Sequence, residues 1–315
     1  MFQRILVPLD GSARAEQAIP TAARIAQVFG GTIIMLCVVP PTSRPEKGGM
    51  PEAYPIVGTD EQLAEATEYL KSVATSRPLV GIPTEVHTAI GETAPTLLDA
   101  VQSLHADFLI VCRHGLSGFA HWGLGGVAYK LVQRCPVPLL LLPDGGRELA
   151  PAEQHQIRAL VTLDGSPFSE AVLEPVAHLL AGLTQARGQH GALLLLQVVG
   201  IPTSYGRFRS KVISPDNARQ QAEAEKRAEY YLETVARRLT DGELAKYHLA
   251  VTTRVATDPD VAKAIVYTAE HTLVDVIAMT THGWSGVLRW ALGSIMERVL
   301  HTTRAPLFIL RPPNE

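Results

Sequence analysis

His282-Gly283-Trp284-Ser285-Gly286, closed by Gly293-Ser294, is the second appearance of one stretch. The first is His114-Gly115-Leu116-Ser117-Gly118, closed by Gly125-Gly126. Each stretch follows an apolar run opened by an aspartate, Asp107-Phe-Leu-Ile-Val and Asp275-Val-Ile-Ala-Met. Each precedes a helical pattern and a further apolar run, Val137-Pro-Leu-Leu-Leu-Leu and Pro306-Leu-Phe-Ile-Leu. A strand that opens into a glycine-rich turn and then a helix can aim backbone N–H groups at an anion. The chain writes that arrangement twice.

Other blocks repeat in the same order. Ile5-Leu-Val-Pro-Leu-Asp10-Gly11-Ser12 returns as Ala159-Leu-Val-Thr-Leu-Asp164-Gly165-Ser166. Thr32-Ile-Ile-Met-Leu-Cys-Val-Val39 returns as Ala192-Leu-Leu-Leu-Leu-Gln-Val-Val199. Four ordered blocks at so long a period indicate a duplicated domain and not a solenoid. Growing offsets place small insertions in the second copy, where surface loops absorb them. A length of 315 residues suits two ordinary domains.

Within the first copy, strands are expected near 3–9, 32–39, 84–89, 107–112 and 137–142, with helices near 13–28, 60–77, 93–105 and 125–134. In the second, strands are expected near 157–163, 192–199, 248–255, 275–280 and 306–311, with helices near 167–182, 215–240, 259–271 and 293–302. The strands read as continuous apolar runs, as when helices cover both faces of a parallel sheet. The fold class is therefore α/β: two tandem doubly wound, Rossmann-like parallel-sheet domains. Expected boundaries are 1–144 and 157–315, with the polar stretch 145–156 as linker.

Lys and Arg number 28 against 31 Asp and Glu, a formal charge of −3. That balance offers no basic stripe to a nucleic-acid backbone. Apolar runs stop far short of the roughly 20 residues a membrane helix needs, so no membrane partner is expected. Three cysteines make no disulfide framework, Met1 leads directly into the first strand, and the expected setting is a reducing cytoplasm.

In doubly wound sheets the ligand lies beyond the carboxyl ends of the strands, where strand order reverses. The first and fourth strands of each copy are expected to flank that point. Asp10 and Asp164 end the first strands and carry two readings, ribose acceptors or closers of an Asp-Gly-Ser turn. Gly115 and Gly283 allow close backbone approach, and Gly125 and Gly293 open helices whose N–H groups favour an anion. Ser294 can donate its hydroxyl to that anion, but Ser294-Ile-Met-Glu297 is also a capping box with Ser294 as N-cap. Ser166-Pro167 reads as N-cap plus N1 proline.

With these residues in place, the chain resembles the universal stress protein family, in two tandem domains spanning nearly its whole length. Nucleotide-binding members carry an Asp after the first strand. After the fourth they carry Gly, two residues, Gly, nine residues, Gly-Ser/Thr. The second copy reads Thr280, two residues, Gly283, nine residues, Gly293-Ser294. The first reads Cys112, two residues, Gly115, nine residues, Gly125-Gly126. Both lack the leading glycine, and the first also lacks the hydroxyl.

The resemblance implies that Asp164, Thr280, Gly283, Gly293 and Ser294 hold ribose and phosphates. In the first copy it implies the same of Asp10, Gly115, Gly125 and Gly126. Val38 and Val198 are the implied backbone contacts to adenine, and ATP, with or without magnesium, the implied ligand. It also implies intrachain pairing of the domains through Pro138–Leu142 and Leu307–Arg311, and leaves a homodimer through another surface open. Arg207, Arg209 and Lys211, in the loop after the second copy's second strand, read as solvated charges.

Signatures of turnover are missing. There is no Gly-Lys-Ser/Thr lysine for β and γ phosphates. Ser117 and Ser285 sit one residue short of a nucleophile elbow. The 11 histidines show no metal spacing. His114 and His282 read as ordering the turn, and Cys112 as a buried thiol. The expected function is a non-catalytic stress-response regulator that binds ATP or a related adenine nucleotide, with hydrolysis at most slow. The second domain is expected to keep the more complete site. The alternative is a ligand-free protein-interaction module of the same fold. An adenine-nucleotide α-hydrolase would need a Ser-Gly-Gly-x-Asp-Ser loop that the chain lacks.

Overall fold

The computed structural model describes residues 1–41, 60–115, 125–145, 149, 156–185, 188–201, 215–281 and 292–312. The chain divides into two compact units, Met1–Glu148 and Leu149–Glu315. Most of the expected linker, and Gly283 with the loop bearing Arg207, Arg209 and Lys211, lie outside the described residues.

The first unit runs β1 (Arg4–Pro8), α1 (Ala13–Glu16), α2 (Ala18–Phe29), β2 (Thr32–Val39), α3 (Asp60–Ala74), β3 (Thr84–Ile90), α4 (Thr93–Ser103), β4 (Phe108–Cys112), α5 (Gly126–Arg134) and β5 (Leu139–Leu142). Its strands lie in the order β3-β2-β1-β4-β5, all parallel, with Ile5 opposite both Ile33 and Phe108. The second unit runs β6 (Arg158–Thr162), α6 (Pro167–Glu170), α7 (Leu173–Gln185), β7 (Ala192–Val199), α8 (Pro215–Asp241), β8 (Ala250–Thr257), α9 (Val261–His271), β9 (Val276–Thr280), α10 (Ser294–Thr302) and β10 (Leu307–Leu310). Its order is β8-β7-β6-β9-β10, again parallel. The expected fold class is the observed one.

The core follows from the apolar runs. Ile5, Leu6, Val7, Phe108, Leu109 and Ile110 are fully or almost fully buried, as are Ala159, Leu160, Val161 and Ile277 in the second unit. Two features depart from the expected pattern. Strands β3 and β8 are half-buried to exposed and rich in Thr, because each ends its sheet and is covered by one helix, α3 or α8. Each first helix is also broken in two. Pro20 and Pro175 stand third in α2 and α7, where a missing N–H is harmless. Neither can donate to the turn before it, so the chain cannot run through as one helix.

Asp107 and Asp275, which open the fourth strands, act as staples. Asp107 accepts from the backbone N–H of Gln3 and of Arg4, each at 3.0 Å, and Asp275 accepts from Arg158 N–H at 2.8 Å. Arg4 and Arg158 also donate side-chain N–H groups to the carbonyls of Leu104 and Thr272, both at 2.9 Å. The central strand of each unit is thus pinned at its amino end. Its carboxyl end, one strand length away, carries the sequence motifs.

Candidate functional site

Strand order reverses between β1 and β4 and between β6 and β9, so each unit has its switch point where expected. At the end of β6, Asp164 closes its turn: Oδ1 accepts from Ser166 N–H at 2.9 Å and from Ser166 Oγ at 2.6 Å. Ser166 then caps α6, accepting from Ser169 N–H at 3.1 Å. Asp10 and Ser12 repeat this, at 3.0 and 2.6 Å, with Ser12 accepting from Ala15 N–H at 3.1 Å. Gly11 and Gly165 between them take φ of 81° and 86°, a left-handed backbone that glycine alone adopts without cost. The turn reading of both aspartates therefore holds. It occupies Oδ1, and both aspartates are exposed at the strand ends.

The fourth strands end at Cys112 and Thr280. Neither is among the residues with positive φ, so the side chains that replace the leading glycine sit in regular strand. Gly125 and Gly293 are the N-caps of α5 and α10, both with negative φ. Each position is tight for a Cβ. One at Gly125 would sit 3.0 Å from the Arg113 carbonyl, and one at Gly293 would sit 3.3 Å from that of Thr281. Gly125 and Gly293 also donate to those carbonyls, both at 3.1 Å. This pins the helix start to the strand end.

The capping-box expectation for Ser294 is corrected by this geometry. Gly293 takes the cap, Glu297 N–H bonds its carbonyl at 3.0 Å, and Ser294 is the first helical residue. The helix starts one residue early because the Gly293 carbonyl already accepts the Glu297 N–H that a Ser294 cap would use. Ser294 is exposed at the helix start.

A cavity of 310 Å³ lies in the second unit at the carboxyl ends of β6, β7 and β9, within the usual range for small-molecule pockets. Asp164, Val198, Thr280, Gly293 and Ser294 all line it, and Ile265 and Met279 add apolar wall. Five of the six second-copy residues singled out by sequence therefore meet at one space, the sixth being Gly283. In the first unit Asp10 lies against Gly115, where a Cβ would collide with Oδ2. Gly125 lies beside His114, and Gly126 begins α5 with open space around it. Val38 is half-buried near the end of β2, next to β1.

Several neighbours of these sites were not foreseen. Tyr69 on α3 donates its hydroxyl to Glu16 at 2.9 Å, and Tyr231 on α8 donates to Glu170 at 2.9 Å. Burial, joined by the adjacent carboxylate, raises both phenols above the ordinary tyrosine range. Each bond ties the helix after the second-strand loop to the end of the Asp-Gly-Ser turn. The recurrence of Tyr and Glu in both copies was the available signal, masked by unequal loop lengths. Cys112 was expected to be buried and is half-buried at the end of β4; burial pushes the thiol up to about 12, with Asp144 adding to it. Among the described residues no group of three His, Cys, Asp or Glu is placed to hold a metal. None of the described helices is long and apolar enough to cross a membrane.

Fold and site together define a doubly wound α/β protein with a pocket at the switch point of its second sheet. The chain belongs to the universal stress protein family, whose model matches residues 1–143 and again 158–311. A universal stress protein of Mycobacterium tuberculosis is 26% identical over 326 residues, 98% of this chain and 96% of the relative. One from Synechocystis is 27% identical over 146 residues, covering 45% of this chain and 87% of its own. The crystal structure of a universal stress protein from Archaeoglobus fulgidus shares the fold across 99% of both chains, at a TM-score of 0.64 and 19% identity.

Proposed function

We propose that the second domain binds an adenine nucleotide, ATP or a close relative, and that binding shifts the protein's conformation or partner affinity without turnover. The observation that carries this reading is that Asp164, Val198, Thr280, Gly293 and Ser294 line one cavity. Its parts suit a nucleotide. A carboxylate at the strand end can accept ribose hydroxyls, and the start of α10 offers free N–H groups and the positive end of a helix dipole. The Ser294 hydroxyl adds a donor for phosphate oxygens. Apolar side chains on β9 and α9 can cover a base. Magnesium would enter with ATP, held by the phosphates. The domains fall at 1–144 and 157–315 around the linker 145–156, pair through their last strands, and work in a reducing cytoplasm.

The test is direct. Small molecules released from purified full-length protein are identified by mass spectrometry, and ATP, GTP and cyclic AMP are then titrated calorimetrically. Copurified adenine nucleotide, or saturable ATP binding tighter than about 1 mM, roughly −4 kcal/mol, supports the reading. Neither release nor saturation would establish the alternative, a ligand-free interaction module.

A further inference from the structure

His114 is 8% exposed and its Nδ1 lies 2.6 Å from Asp144 Oδ2. Its other ring nitrogen, Nε2, is buried without a hydrogen-bond partner. The ring edge that carries Nε2 faces the start of α5: a Cβ built on the N-cap Gly125 would lie 3.9 Å from His114 Cδ2. A nine-residue helix therefore begins beside a buried imidazole nitrogen with an unused bond. A polar atom in that state is costly, and an acceptor supplied from outside would relieve the cost.

The two copies differ here. Leu142-Pro143-Asp144 in the first corresponds to Leu310-Arg311-Pro312 in the second, so the second has proline at the position aligned with Asp144. The same copy has Gly126 where the second has Ser294. The first domain has lost a hydroxyl at the helix start and holds a carboxylate-backed imidazole next to it.

We propose that the first domain is a separate, proton-linked anion site, in which His114 donates from Nε2–H to a phosphate group at the start of α5. Asp144 holds the ring through Nδ1–H and balances the imidazolium charge. An imidazolium donates from both nitrogens, so an anion and Asp144 together satisfy the ring. Among the described residues Asp144 bonds the ring, Arg113 precedes it in the chain and interacts with Asp144, Asp10 stands behind Gly115, and burial raises the thiol of Cys112. Imidazole is the side chain that exchanges a proton near neutral pH, and the terminal phosphates of pyrophosphate and ATP do so as well, so the imidazole's share is read by comparison with His114→Gln. This extends the nucleotide reading to the first domain, but its probe can be simpler than a nucleotide.

The experiment uses the full chain carrying Ser294→Asp, which puts a negative charge at the second domain's helix start. Inorganic pyrophosphate and ATP are titrated into that protein, and into it with His114→Gln or Asp144→Asn added, at pH 6 and pH 8. One retained site, about tenfold tighter at pH 6, is expected. His114→Gln should weaken it about tenfold and reduce its pH dependence to that of the probes' own phosphates, and Asp144→Asn should do so in part. Asp144 is 46% exposed, so Asp144→Asn remains informative if His114→Gln unfolds. Pyrophosphate binding without ATP binding would support this site and contradict the nucleotide reading. ATP binding to the unmodified chain that vanishes entirely with Ser294→Asp would do the reverse. Binding whose strength and pH dependence are indifferent to His114→Gln and Asp144→Asn, or no binding of either probe to any form, would overturn the proposal.

Discussion

Gly115 lies against the carboxylate of Asp10, so closely that a Cβ at 115 would collide with Oδ2. The glycine-rich turn and the Asp-Gly-Ser turn, far apart in sequence, are thereby one unit in space. The reason for glycine at 115 is thus the aspartate as well as any phosphate. Gly115→Ala should displace Asp10 or strain the turn, destabilising the protein by about 1–3 kcal/mol. Gly126→Ala, with open space around it, should be neutral or stabilise by a few tenths up to about 1 kcal/mol. Urea unfolding of both variants checks the contrast, and equal effects would contradict it.

The helix starts offer a reciprocal exchange. Ser294→Gly should weaken ATP binding to the second domain by roughly 3- to 10-fold, the worth of about one hydrogen bond. Gly126→Ser should strengthen phosphate binding in the first domain by a similar factor. Both positions are first in their helices and exposed, so circular dichroism should show an unchanged fold. Calorimetry measures the affinities.

The paired tyrosines make a prediction about alkaline pH. Tyr69 and Tyr231 hold their protons more tightly folded than unfolded, because of burial and the carboxylates of Glu16 and Glu170. The sign follows: their contribution is complete below the unfolded tyrosine value of about 10 and is lost as pH rises above it. Stability should therefore fall between about pH 10 and pH 11, and less steeply in Tyr69→Phe and Tyr231→Phe. Tyr69→Phe should itself cost about 1–3 kcal/mol at neutral pH by removing the donor to Glu16, and Tyr231→Phe less, because Glu170 keeps its bond from Arg238. Absorbance titration alongside thermal unfolding tests both statements.

Thiol chemistry gives an independent check on the first domain. Cys112 and Cys135 are pushed up to about 12 by burial, and Cys37 is raised by burial and by Asp10. All three should be mostly thiol at pH 8, so native protein should react slowly with iodoacetamide. Adding denaturant should accelerate all three, and mass mapping of the labels reads this. Rapid native labelling of Cys112 would contradict the raised thiol at the half-buried end of β4.

Much of this was legible in the sequence because it is local. The apolar runs are the central strands, the repeated Asp-Gly-Ser and glycine-rich turns mark the switch points, and the offsets mark the loops. Polar β3 and β8 escaped the apolar rule because one covered face suffices at a sheet end. Ser294 was misassigned as a cap because its competitor, Gly293, already accepts the Glu297 N–H and is bonded to Thr281, contributed by another element. The Tyr69–Glu16, Tyr231–Glu170 and His114–Asp144 pairs were not legible. Their members lie 53, 61 and 30 positions apart and meet only when the sheet forms.

The measurement that bears most directly on the nucleotide site is an ATP titration of the unmodified chain beside Ser294→Asp and Gly126→Asp. Aspartate at the first position of a helix favours the helix dipole, so neither change should disturb the fold, while each opposes phosphate at its own domain. The tighter site should weaken at least tenfold, about 1.4 kcal/mol, in Ser294→Asp and persist in Gly126→Asp. Loss of that site in Gly126→Asp, with Ser294→Asp unaffected, would contradict the assignment to the second domain.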